Sequence, residues 1–214
     1  MRSPMQQSLL KDQMTLYVFV SVLFAVGVVF GALLVNALTL GQQQDLVGDV
    51  QLFVQHVQDG VLQGGSPTFW ERTLFHAKWI LLIGVLGMTV VGMPLVLVLD
   101  FMKGVLVGFA IGTLVSQHAW KGLLFSLVSI APPNMIIVPA LLIASVSSVS
   151  FSIYIVKNRF LSRYGSLSHP FVAHSSTVVL MLLIIIGAAM IESFVSPLLI
   201  KWAAPLIAGA TNEL

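Results

Sequence analysis

Three ionisable side chains stand in or beside apolar sequence: Asp100, Lys103 and Glu192. Charge is costly inside a bilayer, so such residues are candidates for moving ions or protons, or for tying helices together. Asp100 and Lys103 are three apart, a spacing that allows pairing on a helix. Their plainer reading is a charged turn anchored at the membrane surface. Glu192 lies about 27 Å along a helix from His174, which puts it near the far surface. It anchors there or accepts a hydrogen bond from a second helix, and both readings stay open. His56, His76, His118, His169 and His174 are scattered, with no pair at metal-ligand spacing. The chain has no His-Glu-x-x-His, no Gly-x-Ser-x-Gly, no phosphate-cradling loop and no dinucleotide fingerprint. Gly64-Gly65-Ser66 reads as a turn rather than as a serine nucleophile. The expectation is a protein with no catalytic residue, metal or cofactor.

Composition sets the class in which those residues must work. Charged residues make up 8% and the mean hydropathy is +1.00, against about 25% charged residues in soluble domains. The reading is an all-α, polytopic transmembrane helical bundle, one integral membrane domain over residues 1–214. A net charge of +2 without a long basic run argues against nucleic acid as a partner. Membrane lipid is the partner implied directly. The chain has no cysteine, which excludes disulfides and thiolate metal sites.

About five spans are expected, near residues 15–40, 79–99, 101–121, 134–155 and 174–197, because a crossing takes about 20 apolar residues. The first run is longer than the apolar core of a secretory signal and is read as an uncleaved span. Residues 41–78 form the long outer connection. Within it Leu46, Val50, Phe53, Val57 and Val61 recur at helical spacing, with Asp45, Asp49 and Asp59 elsewhere around the wheel. That pattern predicts one amphipathic extracytoplasmic segment, capping the protein's own helices. Thr68 and Glu71 have capping-box spacing and open the next helix, which Pro94 should kink. Asp100 to Gly104 is expected to turn the chain. Beyond it Gly104, Gly108, Gly112 and Ser116 recur every fourth residue, a small-residue face that another helix can approach closely. Gly27 and Gly31 form a shorter pair of the same kind. Pro132, Pro133 and Pro139 divide the following apolar stretch, leaving residues 122–131 as either a half-helix or part of a span. Ser145, Ser148 and Ser152 share a face of the fourth span.

Three stretches resemble the stage II sporulation protein M family of endospore-forming bacteria: Val20–Thr39 (VSVLFAVGVVFGALLVNALT), Phe101–Gly112 (FMKGVLVGFAIG) and Ser129–Ala140 (SIAPPNMIIVPA). Glu192 with Ser196-Pro197 resembles a further feature of the wider family. The resemblance implies a non-catalytic scaffold at the sporulation septum, on the mother-cell side. It also implies partners, the stage II sporulation proteins P and D, which remodel septal peptidoglycan during engulfment. The family brings no catalytic residue to carry over. Self-association is left open.

Lys and Arg positions set the orientation. With the amino terminus inside, Arg2, Lys11, Lys103, Lys157, Arg159 and Arg163 face inward, against Arg72, Lys78, Lys121 and Lys201 outside. The amino terminus is then cytoplasmic and the carboxyl terminus extracytoplasmic. A transporter or channel component is the alternative function, since Asp100 and Lys103 interrupt apolar sequence. An intramembrane hydrolase would need a nucleophile–base pair that the sequence does not offer.

Overall fold

The computed structural model describes residues 4–39, 69–158 and 168–208, with 41–42, 44–46, 48 and 52 between them. The described residues are helical almost throughout. They form α1 (Pro4–Leu34), α2 (Phe69–Gly87), α3 (Gly92–Ser129), α4 (Ala131–Val156), α5 (Ser168–Phe194) and α6 (Ser196–Ala208). Four stretches are long and apolar enough to cross a bilayer: Gln13–Ala37, Gly92–Ser129, Ala131–Val156 and Ser168–Ala203. The protein is a polytopic helical bundle. Most of the amphipathic segment expected in the outer connection, and Thr68 of the capping box, lie outside the described residues.

Helix α4 is the centre of the bundle, with 56% of its apolar stretch buried against 22% for α1. Ile137, Leu141, Ala144 and Val149 of α4 meet Ile80 and Ile83 of α2, Val96 of α3, and Val178, Met181 and Ile185 of α5. Branched and small side chains interdigitate here without polar atoms to satisfy, which is how helices gain packing energy in lipid.

The turn lies elsewhere than the charges indicated. Asp100 and Lys103 are inside α3, and the chain reverses at Met88–Val91. The expected 79–99 span is therefore two elements, and the expected 101–121 span lies within α3 up to a break at Ala119. Local chemistry accounts for the true turn. The Thr89 hydroxyl and amide both donate to the Leu86 carbonyl, at 2.7 and 2.9 Å. Gly92 packs so close to that carbonyl that a Cβ would collide with it. Pro94 falls in the first turn of α3, where its missing N–H costs nothing, so it starts a helix instead of kinking one. The Ser152 hydroxyl donates to the Thr89 carbonyl at 2.9 Å and accepts from the Met93 amide at 3.2 Å, fastening the turn to α4.

Ala119 breaks α3 with φ 45° and ψ −123°, a region disfavoured for residues with a Cβ. Beyond it the helix folds back so far that a Cβ on Gly122 would meet the Leu114 carbonyl. Residues 120–129 are thus a separate half-helix, and Phe125 packs with Ala203 and Ile200 of α6. Pro132 and Pro133 lie in the first turn of α4, and Pro139 is accommodated inside it. At the other end of the chain α5 begins at Ser168, ahead of the expected start at 174. Thr39 opens a helix by reciprocal capping: its amide and hydroxyl donate to the Gln42 side-chain oxygen at 3.1 Å each, and the Gln42 amide returns a bond at 3.5 Å.

Contacts fix which helix ends share a face. Gly27 and Gly31 meet α3 at Phe101–Gly104 and Val105–Phe109, so α1 and α3 run parallel. Ser152 joins the end of α4 to the 88–91 turn. Arg72 at the start of α2 meets Glu192 near the end of α5. One face therefore carries the start of α1, the 88–91 turn, the end of α4 and the start of α5. The other carries the end of α1, the start of α2, the 120–129 half-helix and α6.

Candidate functional site

The small residues build one continuous seam. A Cβ on Gly27 would lie 2.5 Å from the Phe101 carbonyl oxygen and 3.3 Å from the Gly104 Cα. Gly31 faces the Val105 carbonyl, Gly104 the Phe24 carbonyl and Gly108 the Val28 carbonyl, all closer than a Cβ permits. At Gly112 the Ala32 backbone would stand 2.8 Å from an added Cβ. Two glycine faces, one on each helix, thus let α1 and α3 touch backbone to backbone. Ser116 is not part of this seam. It is exposed, because α1 has already ended at Leu34.

The ionisable residues lie beside this seam at two depths. Asp100 is fully buried two turns into α3, and its Oδ1 accepts the Ser145 hydroxyl of α4 at 2.7 Å. Its Oδ2 has no partner among the described residues, nor has the buried Ser148 hydroxyl one turn further along α4. Lys103 does not pair with Asp100 as the spacing allowed. Its ammonium lies over the rings of Phe75, 4.9 Å from the centroid, and Trp79, at 5.3 Å. Such contacts contribute about 2 kcal/mol when desolvated. Both residues are thus interior groups and not interface anchors.

Glu192 occupies the second layer, toward the face of the 120–129 half-helix. Its Oε1 accepts Arg72 Nη1 at 2.9 Å, and its Oε2 lies 2.9 Å from His76 Nε2. Arg72 and His76 are four apart on α2, so one helix face presents both to a single carboxylate. Lys103 adds positive potential from α3. Glu192 therefore ties α2 to α5, one of the two roles its sequence position left open.

A third polar group was not visible in the sequence. His174 of α5 is 2% exposed. Its Nε2 is 3.1 Å from the Gly84 carbonyl and its Nδ1 is 3.0 Å from the Ser147 hydroxyl. A carbonyl only accepts, so Nε2 carries the proton and Ser147 donates to Nδ1. The ring stacks on Phe151, with centroids 5.0 Å apart and planes 5° apart.

Chemically these groups hold helices together. Among the described residues no three His, Asp or Glu side chains are placed to bind a metal ion. Each buried partner sits on a different helix from the residue it serves, as in Asp100–Ser145 and Glu192–Arg72. Ser145→Ala tests the deeper layer. It leaves Asp100 without its donor and should lower stability by about 1–3 kcal/mol, read as an earlier thermal unfolding transition in detergent. Ser145→Thr, which keeps the hydroxyl, should unfold close to the wild type.

A family model described as Stage II sporulation protein M matches residues 20–197. No curated protein and no solved structure matches the chain.

Proposed function

The chain belongs to the stage II sporulation protein M family, and from that membership we propose that it is a non-catalytic membrane scaffold of the engulfment machinery. It would recruit and stabilise the stage II sporulation proteins P and D at the septal membrane, on the mother-cell side. The family match carries this reading, since it covers all but the first and last parts of the bundle. A second consideration supports it. Glu192 spends both carboxylate oxygens on neighbouring helices' side chains, Oε1 on Arg72 and Oε2 on His76. A carboxylate engaged at both oxygens suits a rigid platform better than a reaction centre, which needs groups free to act on a substrate. The test is the position of fluorescent protein P in a strain lacking this chain. Dispersal from the septum is expected, and normal septal enrichment would end the scaffold reading.

In the orientation we propose, the start of α1 and the Lys157 end of α4 face the cytoplasm. The 41–68 connection and α6 then face the extracytoplasmic side, where protein P would meet them. With Lys103 withdrawn to the interior, Arg2, Lys11, Lys157, Arg159 and Arg163 inside still outnumber Arg72, Lys78, Lys121 and Lys201 outside. The cysteine-free chain makes it directly readable. An impermeant thiol reagent added outside should label Gly48→Cys and spare Ser162→Cys, and the reverse pattern would invert the protein in the membrane.

One observation favours a transport reading. Asp100 and Lys103 are buried within an apolar membrane helix, where ionisable residues mark ion and substrate pathways. That reading expects solute-dependent flux across liposomes holding the purified protein, abolished by Asp100→Asn. The scaffold reading expects none.

A further inference from the structure

We propose that the 120–129 half-helix and α6 insert together into the leaflet on their own side of the bundle, and that this one-sided insertion makes the protein favour membrane that is convex there. The placement follows from helix register. Met93 meets Ser152 and Asp100 meets Ser145, so seven residues up α3 match seven residues down α4. Continued, that register sets Ala131, where α4 begins, level with Leu114 of α3. The chain therefore rises from Leu114 to the break at Ala119 and is back at the level of Leu114 by Ala131. Phe125 of the half-helix packs with Ala203 of α6, and Leu114 and Ile200 pack against that pair. The two short helices thus lie at one depth.

That depth is the edge of the hydrocarbon. The apolar stretch of α1 ends at Ala37, and its Ala32 and Val35 stand beside Gly112, less than a turn of α3 below Leu114. The side chains suit this boundary. Trp120 and Leu127 on the half-helix, and Leu198 and Trp202 on α6, are 62–73% exposed. Leu198 and Trp202 are four apart and share one face of α6, while Ser196 and Ala203 turn inward. An exposed lysine adjoins each tryptophan, Lys121 beside Trp120 and Lys201 beside Trp202. Tryptophan rings settle at headgroup level, and a lysine stem lies along apolar surface while its ammonium reaches water. Neither helix contains an acidic residue. An apolar patch edged by lysine at this depth fits the boundary between acyl chains and headgroups.

The insertion is one-sided. At the opposite face, among the described residues, the chain reverses through Met88–Val91 without any such helix. Helices about 15 and 20 Å long and about 10 Å wide add up to roughly 350 Å² to one leaflet, against roughly 400 Å² for five upright helices of that width. Material wedged at headgroup level spreads one leaflet and not the other, so binding of this kind depends on curvature.

Two measurements on the full, cysteine-free chain test the proposal. Spin labels at Leu127→Cys and Trp202→Cys, in liposomes, should collide with oxygen more often than with a water-soluble nickel chelate. Their oxygen preference should be smaller than at Val179→Cys, 56% exposed within the apolar run of α5. Nickel-dominated collisions would overturn the proposal and leave this patch in water, as a docking face for another protein. The second measurement draws narrow membrane tubes from giant vesicles, whose outer leaflet is convex in the tube. An impermeant thiol dye on Gly48→Cys marks only molecules with the α6 side outward, and on Ser162→Cys only those with it inward. The first population should be enriched in the tube relative to lipid and the second depleted. Leu198→Asn combined with Trp202→Asn should abolish the enrichment. Equal densities of the two populations would overturn the proposal, as would undiminished enrichment in a folded double variant. Should the double variant not fold, the contrast between the two populations decides. Neither measurement depends on the scaffold reading.

Discussion

Gly108→Leu should destabilise the bundle by about 3 kcal/mol, the upper end of ordinary overpacking, and so lower its melting temperature in detergent. The cause is backbone contact. A Cβ at Gly108 would fall on the Val28 carbonyl, and a leucine adds three more carbons behind it. A side chain can change rotamer to make room, but a helix backbone cannot, so α1 must move off α3. The neighbouring contacts at Gly31, Gly104 and Gly112 would open with it. Gly187→Leu is the matched control, since an added Cβ there meets nothing within 4 Å. That variant should be neutral or stabilised by up to about 0.8 kcal/mol, through helix propensity alone. A Gly108→Leu protein that melts with the wild type would mean that α1 and α3 do not rest on this seam.

The seam shows which parts of the fold a single sequence reveals. Gly104, Gly108 and Gly112 recur at helical spacing, so their common face can be read without knowing what covers it. Ser116 continues the period, yet the seam stops before it, because the length of α1 decides where the partner ends. The charges misled for a physical reason. Asp100 and Lys103 were expected at an interface because exposure there costs least, whereas the structure buries them with Ser145 and with two aromatic rings. The true turn at Met88–Val91 is apolar and carries no such marker. Its signals were Thr89, Gly92 and Pro94, which together close a tight reversal and open a helix. Arg72, His76 and Ser145 were invisible as partners because each lies on a helix distant in sequence from the carboxylate it meets.

Glu192→Leu should cost more than any substitution that keeps its oxygens, because it takes a negative charge from nearby cations as well as removing hydrogen bonds. Arg72 would lose its carboxylate, His76 its Nε2 partner and Lys103 a nearby negative charge. Breaking a buried pair from one side costs about 3–5 kcal/mol. Arg72 and Glu192 are each about one-fifth exposed, so water recovers part of that cost, leaving about 2–3 kcal/mol. Glu192→Gln keeps an oxygen for Arg72, and its amide can donate to His76 once the imidazole changes tautomer. It should therefore lose only part of this stability. Removing the Arg72 cation as well is the sharper test. The cost of the double variant Glu192→Leu with Arg72→Met should fall short of the sum of the two single-variant costs by at least about 1 kcal/mol, the sign of direct coupling. Additive costs would mean that the Arg72–Glu192 contact contributes no energy of its own. The two single variants also separate structure from charge. If Glu192→Gln folds and recruits protein P normally while Glu192→Leu does neither, the carboxylate acts as a tie between α2 and α5. If both fold and both fail to recruit, the proposed recruitment depends on the negative charge itself.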